Sequence, residues 1–194
     1  MIHHAARAVP WLLVAASGAV IVGAMLVVGH WPYTMWPLQG CAVGLLAGTA
    51  AWCFDEPAAA IADTAPRHLA WRTAARSLGL LALVATWTLA VLLSRGGLFG
   101  HALDVWLQGA AAVMAATAYV TWRRAAGHES PGRRASAVVV PFAAFWALAR
   151  PASEVLPLLP YSEAAPWDDS RLLWVIVATV ASATLSHSLG DAQW

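Results

Sequence analysis

The sequence contains no lysine, only two cysteines, and few charged residues, which make up 11% of its 194 residues. Without lysine the chain has no GxxxxGK[ST] phosphate loop, so it does not hydrolyse ATP through such a loop. The motifs HExxH, CxxC and GxSxG are also missing, and no pair of acids lies in the middle of an apolar segment. We therefore expect neither an enzyme nor an ion-coupled pump, and we expect no cofactor or metal.

The other scarce features restrict the partners and the compartment. Cys41 and Cys53 lie in one apolar segment, where small buried thiols are expected rather than a disulfide framework. A net charge of +1 offers no basic face for nucleic acid. All eleven basic residues are arginines and alanine is abundant, a composition that indicates a high-GC bacterial source.

What the sequence has in abundance is apolar residues, at 60% of the chain. This fraction is typical of a membrane protein rather than a soluble domain, and the length suits a single transmembrane domain, 1–194. A segment of about 20 apolar residues crosses a bilayer as a helix, and the first one is long enough to be retained as a span rather than removed as a signal peptide. The predicted fold is an all-α, multi-pass protein with six transmembrane helices, at 9–28, 36–54, 77–94, 105–122, 135–150 and 172–189.

The arginines between these segments predict the orientation. Eight lie before the first span or in the loops after the second and fourth spans, whereas three lie in the other loops. Because arginine-rich loops stay in the cytoplasm, the N and C termini are expected there, and the expected location is the bacterial plasma membrane.

The second span carries glycines at a regular spacing. Gly40, Gly44 and Gly48 recur every four residues and therefore lie on one face of a helix. Small residues at this spacing let a second helix approach closely, so this face is predicted to pack against another helix.

The segment 55–76 is a long polar insert between the second and third spans. Asp55 and Glu56 precede Pro57, which predicts a short helix starting there with acids at its positive end. Arg67 and Arg72 follow. A turn of a few residues would join two spans, so the insert is interpreted as a cytoplasmic helix that docks on a soluble partner.

The segment 151–170 is apolar, broken by prolines, and too short to span. It is predicted either to lie on the membrane as a proline-rich external loop or to re-enter the membrane as a helix that shapes a pathway. Glu154 is the candidate residue of an outer gate within it.

This layout of six spans, cytoplasmic ends, an intracellular helix after the second span and an apolar outer segment resembles the membrane subunit of type-2 ABC exporters. The run FDEPAAAIADTAPR also resembles a pattern in small actinobacterial permease-like proteins. The resemblance implies that the insert is a coupling helix, with Asp55, Glu56, Pro57, Arg67 and Arg72 docking on a separate ATP-binding subunit. It also implies a second permease chain, identical or related.

A second hypothesis belongs to a different class. The chain is interpreted alternatively as a non-transporting accessory or assembly subunit of a larger membrane complex, which uses its glycine and tryptophan faces only for packing. The two hypotheses differ in whether an ATPase accompanies the chain.

Overall fold

The computed structural model of the chain describes residues 9–55, 69–150, 156–160, 162–163 and 165–190, and these contain no β-strand. The prediction of an all-α fold is confirmed for these residues. The helices in chain order are α1 (Trp11–His30), α2 (Pro32–Met35), α3 (Pro37–Cys53), α4 (Leu69–Ser94), α5 (Ala102–Ala125), α6 (Pro131–Ala149) and α7 (Trp167–Gly190). The helix α2 is a single turn, and the other six form a bundle.

Local sequence signals set several helix ends. Both α3 and α6 begin with proline at the first helical position, where its missing N–H costs nothing. At the end of α5, Gly127 has a φ of 82°, and the N–H groups of Gly127 and His128 donate to carbonyls of the last helical turn. Glycine reaches this left-handed conformation without strain, so it ends the helix cleanly.

Four helical segments are long and apolar enough to cross a membrane: Trp11–His30, Arg76–Gly97, Ala102–Ala125 and Trp167–Gly190. The described residues thus define a membrane protein with four such segments, where the sequence predicts six. The helix α3 has 17 residues, which at about 1.5 Å each fall short of a hydrocarbon core roughly 30 Å thick. The helix α6 carries two arginines in its first turn, which lower its hydropathy.

The third long helix begins earlier than its apolar pattern predicts. The sequence predicts a span over 77–94, but α4 already begins at Leu69. Because no proline interrupts this stretch, Leu69–Arg76 continues into the span instead of forming part of a separate insert helix. Residues 56–68, which carry most of the predicted insert, lie outside the described residues.

Long helices that follow one another in the chain run in opposite directions. The most extensive packing joins α3 to α6 and α5 to α7, and a second layer joins α1 to α4. The end of α3 meets the beginning of α6 at Asp55, and we call this side of the bundle the Asp55 end. The beginnings of α5 and α7 meet at Asp104 on the opposite side, the Asp104 end.

The centre of the bundle is apolar and closely packed. Leu46 and Leu83 are completely buried, and so is Trp87, the largest completely buried side chain in the part of the chain that the structure describes. The Trp87 ring lies directly against Gly109 of α5, where a Cβ atom would overlap it, and its indole N–H donates to the carbonyl of Trp106 at 3.1 Å. A glycine on α5 is therefore what gives this tryptophan room inside the core.

Candidate functional site

The contact between α3 and α6, which we call the α3–α6 seam, follows the glycine stripe. A Cβ atom at Gly40 would lie 2.6 Å from the Cβ of Ala147, and one at Gly44 would overlap the Cβ of Ala143. Carbon atoms do not approach so closely, so both positions need glycine. The seam brings the two helix backbones together along the length of the stripe.

The last glycine of the stripe adds a hydrogen bond to this packing. A Cβ atom at Gly48 would lie 2.5 Å from a methyl group of Val140. The hydroxyl of Ser136, also on α6, donates to the carbonyl oxygen of Gly48. A small polar side chain thus links the two backbones in a region where water is excluded.

At the Asp55 end, α3 caps α6. The first N–H groups of a helix have no partner inside the helix, and Ser130, the residue before α6, makes no side-chain cap. Pro131 has no N–H, and the next two N–H groups, of Gly132 and Arg133, donate to the two Asp55 carboxylate oxygens at 2.7 and 2.6 Å. A buried carboxylate from another helix therefore takes the place of a local cap, at the positive end of the α6 dipole.

The same junction explains Gly132. A Cβ atom there would overlap the carbonyl oxygen of Ala51 and lie 2.9 Å from Asp55 Oδ1. The Pro131-Gly132 pair thus removes one N–H that would need a partner and one Cβ that would block the approach of α3.

An arginine from α4 completes the junction. The Arg76 guanidinium donates to the carbonyl oxygens of Cys53 and Asp55, at the end of α3. Arg76 therefore joins α4 to the end of α3, and Asp55 joins the end of α3 to α6. We call Asp55, Arg76 and the first turn of α6 the Asp55 junction.

Beside the seam lies a cavity of about 560 Å³ between α3, α5, α6 and α7. Glycine and alanine on α3 and α5 form its floor, and Val138 and Phe142 of α6 stand at its exposed rim. Its wall also carries the polar tips of Tyr119 and Arg134 and the indole N–H groups of Trp146 and Trp174. Because small residues line it on three helices, the cavity is a groove that apolar groups can enter. We call it the α5–α6 groove.

At the Asp104 end a buried acid pairs with an arginine. Asp104 of α5 accepts from Arg171 of α7 through both oxygens, at 2.6 and 3.1 Å, and His101 Nδ1 lies 3.0 Å from the same carboxylate. The His101 ring stacks on Trp167 with centroids 4.2 Å apart. This two-pronged contact fixes the beginnings of α5 and α7 relative to each other.

A row of buried amides continues inward from this pair. The side-chain amide of Gln39 donates to the oxygen of Gln108 at 3.0 Å, and the Gln108 amide lies 3.4 Å from the Ser170 hydroxyl. Ser170 in turn lies 3.5 Å from the carbonyl of Leu158, which also accepts from Trp174 at 2.8 Å. The row ties α3, α5 and α7 to the segment before α7.

The two members of the ion pair between Asp104 and Arg171 differ in solvent exposure, and this difference leads to a prediction. Arg171 is 49% exposed, whereas the Asp104 side chain is 7% exposed. We expect Arg171→Met to lower the free energy of unfolding by more than Asp104→Leu does, because it leaves the buried carboxylate with His101 alone. Asp104→Leu leaves only a solvated arginine and is expected to cost about 1 kcal/mol. SDS titration of the purified variants measures both values, and an Asp104→Leu loss equal to or larger than that of Arg171→Met contradicts this assignment.

The predicted docking and gate residues fall in different places. Glu56, Pro57, Arg67 and Glu154 lie outside the described residues, and Arg72 lies in the first turns of α4 with its side chain not described. Asp55 was expected at the start of a helix within the insert, facing a partner. Instead, its carboxylate is buried and faces inward onto α6, where backbone N–H groups occupy both oxygens.

The outer segment also takes a definite form where it is described. Residues 156–160 contain no helix, Pro160 is buried, and Leu159 packs against the position of Gly40. This part of the segment therefore lies folded on the bundle at the Asp104 end and closes the α5–α6 groove there.

Fold and site together define a helical membrane bundle with a groove beside a glycine-packed seam. Comparisons with protein families, with curated proteins and with solved structures find no match to this chain.

Proposed function

We propose that the chain is the membrane subunit of an ABC-type exporter in a bacterial plasma membrane, coupled to a separate ATPase through residues 55–76. In this proposal all six long helices cross the membrane, both termini are cytoplasmic, and the subunit works with a second permease chain. The proposal rests on the topology described for the sequence and on one structural observation, the Asp55 junction.

The Asp55 junction supports coupling because it joins the insert to a helix of the groove. Arg76 binds the end of α3, and Asp55 binds the first turn of α6. A displacement of residues 56–68 therefore acts on α6 directly. Since α6 also lines the α5–α6 groove, such a displacement changes the shape of the groove. ATP binding can shift the subunit between two states only if the ATPase contacts the two states differently. The Asp55 junction would transmit such a difference from the insert to α6.

Copurification tests the proposal. Arg67→Glu and Arg72→Glu reverse charge in the insert and leave Asp55 intact, and Arg95→Glu is the control, an exposed arginine beyond the opposite end of α4. We expect an ATP-binding protein to copurify with wild type and with Arg95→Glu, and to be lost from the two insert variants. Mass spectrometry of the purified complexes measures this.

The alternative role, an accessory or assembly subunit, predicts a different result from the same experiment. Recovery of a multi-subunit complex that contains no ATPase and that is unaffected by Arg67→Glu and Arg72→Glu supports the accessory subunit and contradicts the exporter.

A further inference from the structure

We infer that the α5–α6 groove is a binding site for an anionic membrane lipid, with one acyl chain in the groove and the headgroup phosphate at Arg134. The inference does not depend on the proposed transport function, because it concerns lipid binding by the chain alone.

The first reason is the chemistry of the groove wall. Apart from Tyr119, Arg134 and the indole N–H groups of two tryptophans it is apolar, formed by small residues on α3 and α5 and by larger ones such as Val138 and Phe142 on α6. Two of the four helices that form it, α5 and α7, are long and apolar enough to cross a membrane. A groove with these walls at membrane depth takes hydrocarbon rather than water.

The second reason is the length of the groove. Its wall on α6 extends from Arg134 at the Asp55 end to Trp146 near the Asp104 end. Twelve residues at about 1.5 Å each make this distance roughly 18 Å. Half of a hydrocarbon core of about 30 Å is about 15 Å, so the groove has the length of one lipid tail.

The third reason is the charge at one end. Arg134 is exposed and makes no ion pair or hydrogen bond with another residue that the structure describes. The neighbouring Arg133 differs, because its guanidinium lies 3.9 Å from the Asp55 carboxylate and 5.6 Å from the centre of the Trp52 ring. Basic residues beside a groove between transmembrane helices bind anionic headgroups, so Arg134 supplies the charge that complements a lipid phosphate.

Photocrosslinking in nanodiscs tests this site on the full chain. The probes are phosphatidylglycerol and phosphatidylcholine, each with a photoactivatable group in the acyl tail, in nanodiscs of phosphatidylcholine. Crosslinks to the groove-lining residues Val139, Ala143 and Trp146 report the groove, and crosslinks to Val175, Ile176 and Val180 on the exposed face of α7 report lipid that surrounds the protein. We expect phosphatidylglycerol to label the groove more than the α7 face, whereas equal labelling of the two surfaces overturns the inference.

Matched variants distinguish binding of the lipid headgroup from binding of its acyl tail. Arg134→Gln is expected to lower groove labelling by phosphatidylglycerol roughly fivefold and to leave labelling by phosphatidylcholine unchanged. Arg133→Gln removes the same charge from the same helical turn, outside the groove wall, and is expected to leave both unchanged. Equal losses in the two variants indicate diffuse surface charge and contradict a headgroup site at Arg134.

Bulky side chains placed in the groove test whether a lipid acyl chain binds there. Ala115→Phe places a ring in the groove and is expected to abolish groove labelling by both lipids, whereas Ala183→Phe on the exposed face of α7 is expected to have no effect. If Ala115→Phe does not elute as a folded protein, Val138→Trp at the rim fills the same space from an exposed position. Undiminished groove labelling in a folded filled variant overturns the inference.

Discussion

Replacing Gly44 by leucine is expected to lower the free energy of unfolding by about 4 kcal/mol, more than any other single change considered. The Cβ atom alone would overlap the Cβ of Ala143, and the rest of the leucine side chain would enter the backbone of α6. Because two packed helices cannot yield locally, α3 and α6 must separate, which also exposes the hydrogen bond between Ser136 and Gly48. SDS titration of the purified protein, followed by circular dichroism, measures the loss.

Gly23→Leu is the matched control for this change. Gly23 also lies within a long apolar helix, but nothing lies within 4 Å of a Cβ atom added there. We expect Gly23→Leu to leave the free energy of unfolding unchanged or to raise it slightly, because leucine favours helix more than glycine does. Similar losses for the two variants would show that the α3–α6 seam is not what holds α3 in the bundle.

Asp55→Ala is expected to have the second largest effect, lowering the free energy of unfolding by about 3 kcal/mol. It leaves the buried N–H group of Gly132 and the partly buried one of Arg133 without partners, and it removes a negative charge from the positive end of α6. Asp55→Asn retains one acceptor oxygen and is expected to cost about half as much. Thermal unfolding of the detergent-solubilised variants, followed by size-exclusion chromatography, ranks the three proteins.

Glu129→Ala serves as the control for Asp55→Ala. Glu129 is exposed in the loop that precedes α6, so the substitution removes the same charge near the same helix end without touching a buried group. We expect no measurable change. If Asp55→Ala is as stable as Glu129→Ala, Asp55 does not cap α6, and its junction with the insert cannot carry the coupling that we propose.

These two predictions bear on function as well as on stability. The α3–α6 seam forms one wall of the α5–α6 groove, and the Asp55 junction connects that wall to the insert. A substitution that weakens either one therefore changes the groove without altering a residue that would touch a partner. For this reason the copurification experiment keeps Asp55 intact and places charge reversals at Arg67 and Arg72.

Much of the fold could be predicted because its signals are local. Apolar runs long enough to span define the membrane class, and four of the six predicted spans correspond to helices long and apolar enough to cross. Pro37 and Pro131 mark helix starts, and Gly127 marks a helix end, through conformational limits that each residue carries with it. The spacing of Gly40, Gly44 and Gly48 indicates a close helix contact, because small residues four apart lie on one helix face.

The partners of these features depend on tertiary structure, because they are distant in sequence. The stripe could face any helix, and only the folded bundle places α6 against it. Asp55 reads as the first acid of an insert helix, yet its partners are 77 and 78 residues away in the chain. The pairing of Asp104 with Arg171, across 67 residues, had no local signal either.

The sequence by itself determined that this chain is an all-helical membrane protein with a glycine-lined helix face, because hydrophobicity, proline and glycine act over single residues or single turns. Only the tertiary structure decided that Asp55 caps α6, that a buried ion pair holds α5 to α7, and that small residues on three helices leave a groove beside Arg134. Each of these contacts depends on which helix faces pack against each other, and that pairing is determined by close packing of the whole bundle.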